Sequence, residues 1–233
     1  MPGHADPAVA VVIPAYQAAA TLADLVRRTT RAVPRATVYV VDDGSTDGTG
    51  ERGREAGARV LAHPVNRGKG AALATGIGAA LADGAQVIVT LDADGQHAPE
   101  DIARLTAPLA AGQADLVLGA RARAGSMPFG RRATNWLSAA LASRIGGTVV
   151  PDAQTGFRAM TRRAAAAVQP VERRYDFETA FLLDALTRGL VVRSVPVPTV
   201  YAGAPSHFRL WGDTWRLAQV FTRYARAIIF GAR

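Results

Sequence analysis

The chain contains no cysteine. A disulfide framework and thiolate catalysis are both excluded, and the composition suits a reducing compartment such as the cytosol. Lysine is nearly absent, since Lys69 is the only one. The formal net charge of +8 is therefore carried by arginine. It reflects either a bias towards arginine codons or an anionic partner. Aromatic residues form 6% of the chain and do not interleave with the arginines. The stacking platforms of single-strand binders are thus missing, and nucleic acid is not expected as a partner. No uninterrupted apolar run reaches the roughly 18–20 residues needed to cross a bilayer. Residues 1–8 show no basic region followed by an apolar core, so no secretory signal is expected there.

What the chain has in quantity is apolar surface: 49% of its 233 residues. That length and content fit one large domain, or one domain with a short appendage. Up to Arg121, short apolar runs alternate with amphipathic stretches. Strands are predicted at 9–13, 37–41, 58–61, 86–91 and 115–118. Helices are predicted at 18–32, 47–57, 68–82 and 99–111. Continuous Val/Ile/Leu strands alternating with helices predict an α/β fold whose central sheet is mostly parallel and flanked by helices on both faces. After Arg121 the rhythm changes to a Gly/Pro/Arg-rich loop at 125–132, helices at 133–145 and 177–187, and a strand at 190–197. One long helix is predicted at 210–230. The organisation read from this pattern is a catalytic domain over 1–209 and an amphipathic helix within 210–233.

Ligands of such sheets bind beyond the carboxyl ends of the strands. Three polar clusters fall there: Pro14-Ala15-Tyr16, Asp42-Asp43 and Asp92-Ala93-Asp94. Asp92 and Asp94 are two apart in an extended segment, so both carboxylates point to one side. That pair suits one hard cation, Mg²⁺ or Mn²⁺, which accepts carboxylate and phosphate oxygens. Taken alone, the same spacing also fits a solvated loop. Gln96 and His97 follow closely enough to add or orient a ligand. Asp42-Asp43 runs into the turn sequence Gly44-Ser45-Thr46-Asp47-Gly48, where Ser45 or Thr46 would cap the next helix. One of the two carboxylates is left to read a base or ribose. Asn66-Arg67-Gly68-Lys69-Gly70 opens a helix whose N-terminus favours an anion. It lacks the spacing of a Walker loop, and a helix entry with a solvated lysine fits it equally.

Together and in order, these pieces resemble family 2 glycosyltransferases of the GT-A fold. The matching segments are Val12-Ile13-Pro14-Ala15-Tyr16, Val41-Asp42-Asp43-Gly44-Ser45, Asn66-Arg67-Gly68-Lys69-Gly70, Leu91-Asp92-Ala93-Asp94-Gly95-Gln96 and Leu118-Gly119-Ala120-Arg121. The branch resembled most closely is that of dolichol-phosphate mannose synthase and its bacterial polyprenyl-phosphate relatives. The match extends through Asp152-Ala153-Gln154-Thr155-Gly156-Phe157-Arg158, Tyr175-Asp176-Phe177-Glu178 and Ser206-His207-Phe208-Arg209.

The resemblance implies that Pro14, Tyr16, Val41, Asp43, Lys69 and Ala93 line the site of a nucleotide-sugar donor. It implies that Asp92 and Asp94, with Gln96 beside them, hold the divalent ion. Arg121 and Arg158 would face the phosphates. Arg121, Arg131, Arg158, Arg173 and His207 are the candidates for an acceptor phosphate. Two departures stand out. Gln17-Ala18 replaces the family's Asn-Glu, which leaves the base of the nucleotide open, and Tyr201 stands where the mannose synthases tend to carry arginine.

The implied reaction is an inverting transfer, with GDP-mannose ahead of the UDP-sugars as donor and a polyprenyl phosphate as acceptor. A sugar hydroxyl would need a carboxylate base, for which Asp152 is the best candidate, whereas a phosphate needs none. With a phosphate acceptor, Asp152 is expected to orient Arg158. A glycan or small-molecule hydroxyl acceptor, and a catalytically silent nucleotide-binding scaffold, are the alternatives. Arg209, Arg216 and Arg223 recur every seven residues and would form one stripe on a helix, with Trp211, Trp215, Phe221, Ile228 and Ile229 supplying an apolar surface. Such a helix fits core packing, a membrane interface or a homodimer contact. The expected location is the cytoplasm, peripheral to the membrane's cytoplasmic face.

Overall fold

The computed structural model describes residues 8–121, 129–168, 176–198 and 219–225, with the backbone alone at 129–134. Among these residues seven strands form one sheet in the order β3-β2-β1-β4-β6-β5-β7. They are β1 (Val9–Ala15), β2 (Thr37–Asp42), β3 (Arg59–Ala62), β4 (Val87–Thr90), β5 (Leu116–Arg121), β6 (Arg158–Thr161) and β7 (Val192–Val197). β1 runs parallel to β2 and β4, β2 to β3, and β5 to β7. β6 is reversed, antiparallel to both β4 and β5. The sheet is mostly parallel, as the alternating pattern predicts, but β6 is a strand the pattern did not show.

Period-two alternation divides each strand between the two faces. Val12, Tyr39, Ile88, Leu116 and Leu118 enter one buried cluster, together with Leu73, Ile77, Phe181 and Leu182. Val11, Ile13, Val38, Val40, Val89 and Val117 enter the other, with Leu22, Leu25, Ile102 and Leu105. The helices follow from the same logic. In α1 (Ala19–Ala32), buried Leu22, Leu25, Val26 and Thr29 keep helical spacing. α2 (Thr49–Glu55) is shorter than the predicted 47–57. Neither Ser45 nor Thr46 caps it. Asp47 instead accepts the backbone N–H of Thr49 at 3.0 Å and that of Ala19 at 3.0 Å, tying the starts of two helices together.

α3 (Lys69–Ala82) presents small residues to the sheet. A Cβ built at Gly76 would overlap Val12 of β1, so α3 lies closer than any side chain there would permit. The predicted helix at 99–111 is a 3-10 turn at Pro99–Asp101 followed by α4 (Ile102–Ala110). α5 (Phe129–Gly146) starts four residues earlier than predicted, α6 (Arg162–Ala167) was not predicted, and α7 (Phe177–Thr187) matches. Of the predicted final helix, 219–225 is described and helical. There Val220 is buried in the core, and the Tyr224 hydroxyl donates to the Ala180 carbonyl at 3.3 Å. No helix among the described residues is long and apolar enough to cross a membrane.

Candidate active site

The carboxyl ends of β1, β2, β4 and β5 converge at one edge of the sheet, and reversed β6 brings its amino end to the same edge. This topology gathers segments far apart in sequence. Asp92 follows β4, Arg121 ends β5, and the loop 152–157 leads into β6.

Lys69 opens α3 and lies between two carboxylates. Its Nζ is 2.7 Å from Asp92 Oδ1 and 2.5 Å from Glu178 Oε1 of α7. Burial pulls the ammonium's pKa down, but Asp92 and Glu178 outweigh that and hold it above its ordinary value. Asp92 responds in the opposite sense: burial pushes it up, and Lys69 more than reverses this, leaving it below the usual carboxylate range. Asp94 is raised, first by burial and then by the negative charge of Asp92. Its Oδ1 accepts the backbone N–H of Gln96 at 3.0 Å. A Cβ at Gly156 would overlap both carboxylate oxygens of Asp92, so this glycine makes the carboxylate's berth.

The residues present suit a hard divalent ion. Residues 93 and 94 form a turn, not the extended segment expected, yet Asp92 lies near enough for its charge to raise Asp94, the group a cation would relieve. Among the described residues no three His, Cys, Asp or Glu side chains converge to hold a metal on their own. A ligand such as a diphosphate can supply the remaining oxygens, as is usual for Mg²⁺.

The other expected residues divide. Pro14 is buried at the end of β1, and Tyr16 beyond it is 43% exposed, the one large apolar side chain of that loop open to a ligand. Ala93 is buried, and its carbonyl accepts from Thr21 at 2.8 Å. Val41 was expected in the nucleotide pocket, but it is fully buried beneath α3, against Gly76. Asp43 was expected to read the nucleotide. It is buried, and its carboxylate is engaged by the chain: it accepts from Arg67 N at 3.0 Å and Gly68 N at 2.7 Å and meets His63 Nδ1 at 2.6 Å. It thus fixes the loop that delivers Lys69. Asp42 accepts from Ser45 N at 3.0 Å.

Arg158 is the clearest correction. It was expected to face phosphates and is instead 2% exposed. Nε donates to the carbonyl of Thr155 at 2.8 Å, Nη1 to that of Glu178 at 2.6 Å and Nη2 to that of Ala153 at 3.0 Å. Burial lowers its pKa to about 10, against the pull of Glu178, Asp152 and Asp92, so it remains a cation at neutral pH. Asp152 was expected to orient Arg158. It orients Arg121 instead, accepting from Nε at 2.7 Å and Nη2 at 3.1 Å in a bidentate pair. Burial raises Asp152, and Arg121 overcomes this, so it stays ionised. His97 is buried against the Phe157 ring at 5.2 Å, and burial keeps its pKa low. Arg173 and His207 lie outside the described residues, as does the side chain of Arg131.

Gln17, one of the two departures, has a φ of 52°. Asparagine accepts that left-handed backbone more readily than glutamine. Here the glutamine is held by a pair of bonds, from Nε2 to Thr46 Oγ1 at 3.1 Å and from Thr46 N to Oε1 at 3.1 Å. Ala18 N donates to Thr49 Oγ1 at 2.8 Å, which closes this loop against the next. The roles of Glu178, Gly156 and His63 were missed. Only the quoted motifs around the first two marked them, and no spacing pointed to His63.

A helix-flanked, mostly parallel sheet with two carboxylates past one strand defines a GT-A glycosyltransferase architecture. The comparisons agree. The family model described as glycosyl transferase family 2 matches residues 10–168. A UDP-N-acetylglucosamine–dolichyl-phosphate N-acetylglucosaminyltransferase of Methanococcus voltae is 30% identical over 84% of this chain and 87% of that protein. A polyprenol monophosphomannose synthase of Mycolicibacterium smegmatis is 32% identical over 80% of this chain and 75% of its own. Among solved structures, glucosyl-3-phosphoglycerate synthase of Mycobacterium tuberculosis bound to uridine diphosphate superposes with a TM-score of 0.77. It is 25% identical, over 94% of this chain and 80% of that one. The chain belongs to glycosyl transferase family 2.

Proposed function

We propose that the chain transfers a sugar from a nucleotide-sugar, GDP-mannose ahead of the UDP-sugars, to the phosphate of a polyprenyl phosphate, with inversion at the anomeric carbon. The observation that carries this reading is the engagement of the carboxylates around the strand ends. Asp43 is bonded to backbone, Asp152 to Arg121, and Glu178 and Asp92 to Lys69. Asp42 is bonded to Ser45 N, and Asp94, bonded to Gln96 N with no ion-pair partner among the described residues, is the candidate to meet a cation. A hydroxyl acceptor requires a base to take its proton. A phosphate acceptor is already an anion and requires positive charge instead. Two relatives named for dolichyl-phosphate and polyprenol substrates support the same acceptor.

In this reading an acceptor phosphate oxygen attacks the anomeric carbon from the face opposite the diphosphate, and the bond from that carbon to the diphosphate breaks. Asp92 and Asp94, with Gln96 beside them, would hold Mg²⁺ or Mn²⁺, which when bound neutralises charge on the departing diphosphate. Lys69 orients Asp92, and Asp152 orients Arg121 towards the phosphates. Pro14, Tyr16 and Ala93 remain the nucleotide-side candidates. Arg131, Arg173 and His207 remain, with Arg121, the acceptor-phosphate candidates. Residues 1–209 form the catalytic domain, and 210–233 an amphipathic helix that packs on that domain, as Val220 and Tyr224 do, or meets the cytoplasmic face of a membrane or a second copy.

The deciding experiment supplies radiolabelled GDP-mannose and UDP-sugars with a polyprenyl phosphate and follows label into an organic-soluble product. Organic-soluble label with inverted anomeric configuration is expected. Transfer of the labelled sugar onto 3-phosphoglycerate or a glycan, with no organic-soluble product, would move the reading to a hydroxyl acceptor.

A further inference from the structure

Glu178 has no part in the reaction as proposed, yet it is buried beside the centre of the site with its carboxylate on Lys69. Its Oε2 has no hydrogen-bond partner among the described residues. A buried carboxylate with one oxygen unserved is costly unless its charge does something. The position of Glu178 gives that charge one use. Lys69 is the chain's only lysine, and its single charge is shared between Asp92 at 2.7 Å and Glu178 at 2.5 Å. If Lys69 faced Asp92 alone, that pair would be neutral, and Asp94 would be left as the one uncompensated carboxylate for a divalent ion. With Glu178 present, three carboxylates share one ammonium.

We infer that Glu178 is a positioning residue that divides the charge of Lys69 and so sets the cation affinity of the Asp92/Asp94 pair. This rests on the metal reading given above. The geometry explains why the division is stable. Glu178 lies in the first turn of α7, and its own carbonyl is held by Arg158 Nη1 at 2.6 Å. Lys69 is anchored at the start of α3 by the loop that Asp43 grips. Arg158 and the Arg121–Asp152 pair stay constant across the variants below and cancel from the comparison.

The test is Mn²⁺ binding to the full chain, read by electron paramagnetic resonance with and without GDP or UDP. Glu178→Gln keeps an acceptor for Lys69 and removes one negative charge. Its Mn²⁺ dissociation constant should rise by at least about tenfold, because an anion lost from beside the site weakens the hold on a divalent cation. Lys69→Met should move it the other way. The double variant Lys69→Met/Glu178→Gln should return towards wild type, because it removes one charge of each sign. Unchanged affinity in Glu178→Gln, or a double variant no better than the worse single one, overturns the inference and leaves the metal site intact. A wild type that binds no Mn²⁺ even with nucleotide overturns the metal reading itself, and the inference with it. Circular dichroism of each variant checks that it is folded. Should Lys69→Met fail to fold, Glu178→Gln against Glu178→Asp carries the same comparison, with Asp expected to retain Mn²⁺ affinity and loss of affinity in Asp equal to that in Gln counting against the charge role.

Discussion

Replacing Arg158 with methionine separates a structural arginine from a phosphate ligand. The side chain is 2% exposed and donates to three buried carbonyls, those of Ala153, Thr155 and Glu178. Methionine fills similar volume and donates nothing. Each carbonyl left without a partner costs about 1–3 kcal/mol. The three losses share one neighbourhood and are not independent, so a net destabilisation of about 3–5 kcal/mol is expected, the range found when one partner of a buried charge network is removed. A domain of this kind is stable by about 5–15 kcal/mol in total, so the variant folds with little margin. With a urea slope of about 2–3 kcal/mol per M, the midpoint should fall by about 1–2 M. Arg158→Lys keeps the charge but cannot reach three carbonyls with one ammonium, and should recover less than half of the loss. Urea unfolding followed by circular dichroism reads both. A methionine variant that unfolds at the wild-type midpoint while losing all transfer would place Arg158 on the substrate and refute the packing argument.

Gly156→Ala drives a Cβ into the Asp92 carboxylate and should cost about 1–3 kcal/mol in unfolding free energy. A misplacement of about 1 Å at such a site costs roughly a hundredfold in turnover, read as nucleotide release. Gly78→Ala is the matched control: its Cβ meets nothing within 4 Å on an exposed face of α3, so it should stabilise the fold by about 1 kcal/mol and leave turnover alone. Asp94→Ala should abolish transfer while leaving the thermal midpoint within a few degrees, because among the described residues this carboxylate bonds to the Gln96 N–H alone. At alkaline pH, burial first and the Asp83 carboxylate second push the Tyr39 phenol up to about 12. The folded state favours its neutral form, so the associated stability is complete below about 10, the ordinary tyrosine value, and declines as pH rises towards 12. Ultraviolet titration should show one of the five tyrosines ionising last, and Tyr39→Phe should delete that step.

The strands that carry the site were legible because each ends in a polar cluster, and the apolar run before Asp92 and Asp94 could be little else. What escaped the sequence was whatever depends on distant partners. β6 is four residues long and begins with an arginine, so it has no apolar alternation to display. The same arginine read as a phosphate ligand because its motif sits beside the phosphates' expected place. Nothing local says that three carbonyls, two from one loop and one from α7, will close around it. Asp42-Asp43 was correctly divided into a turn residue and one with another task, but that task is to grip residues 67 and 68, a contact 24 or 25 positions away. Ser45 and Thr46 looked like caps, yet both hydroxyls serve Gln17. In each case the residue type was informative and its partner was not.

The reversed strand has a consequence for how this fold tolerates insertions and deletions. One residue of β6, Arg158, stands in register with Thr90 on one neighbour and with Leu118 on the other. Asp92 lies two positions beyond the first, and Arg121 three beyond the second. A single added or lost residue in β6 therefore misaligns both halves of the catalytic edge at once, while a change in the surface connection around exposed Val149 disturbs neither. The strand acts as a gauge held between two rails. The chain can lengthen around Val149, but not within the strand or in the loop 152–157 that leads into it.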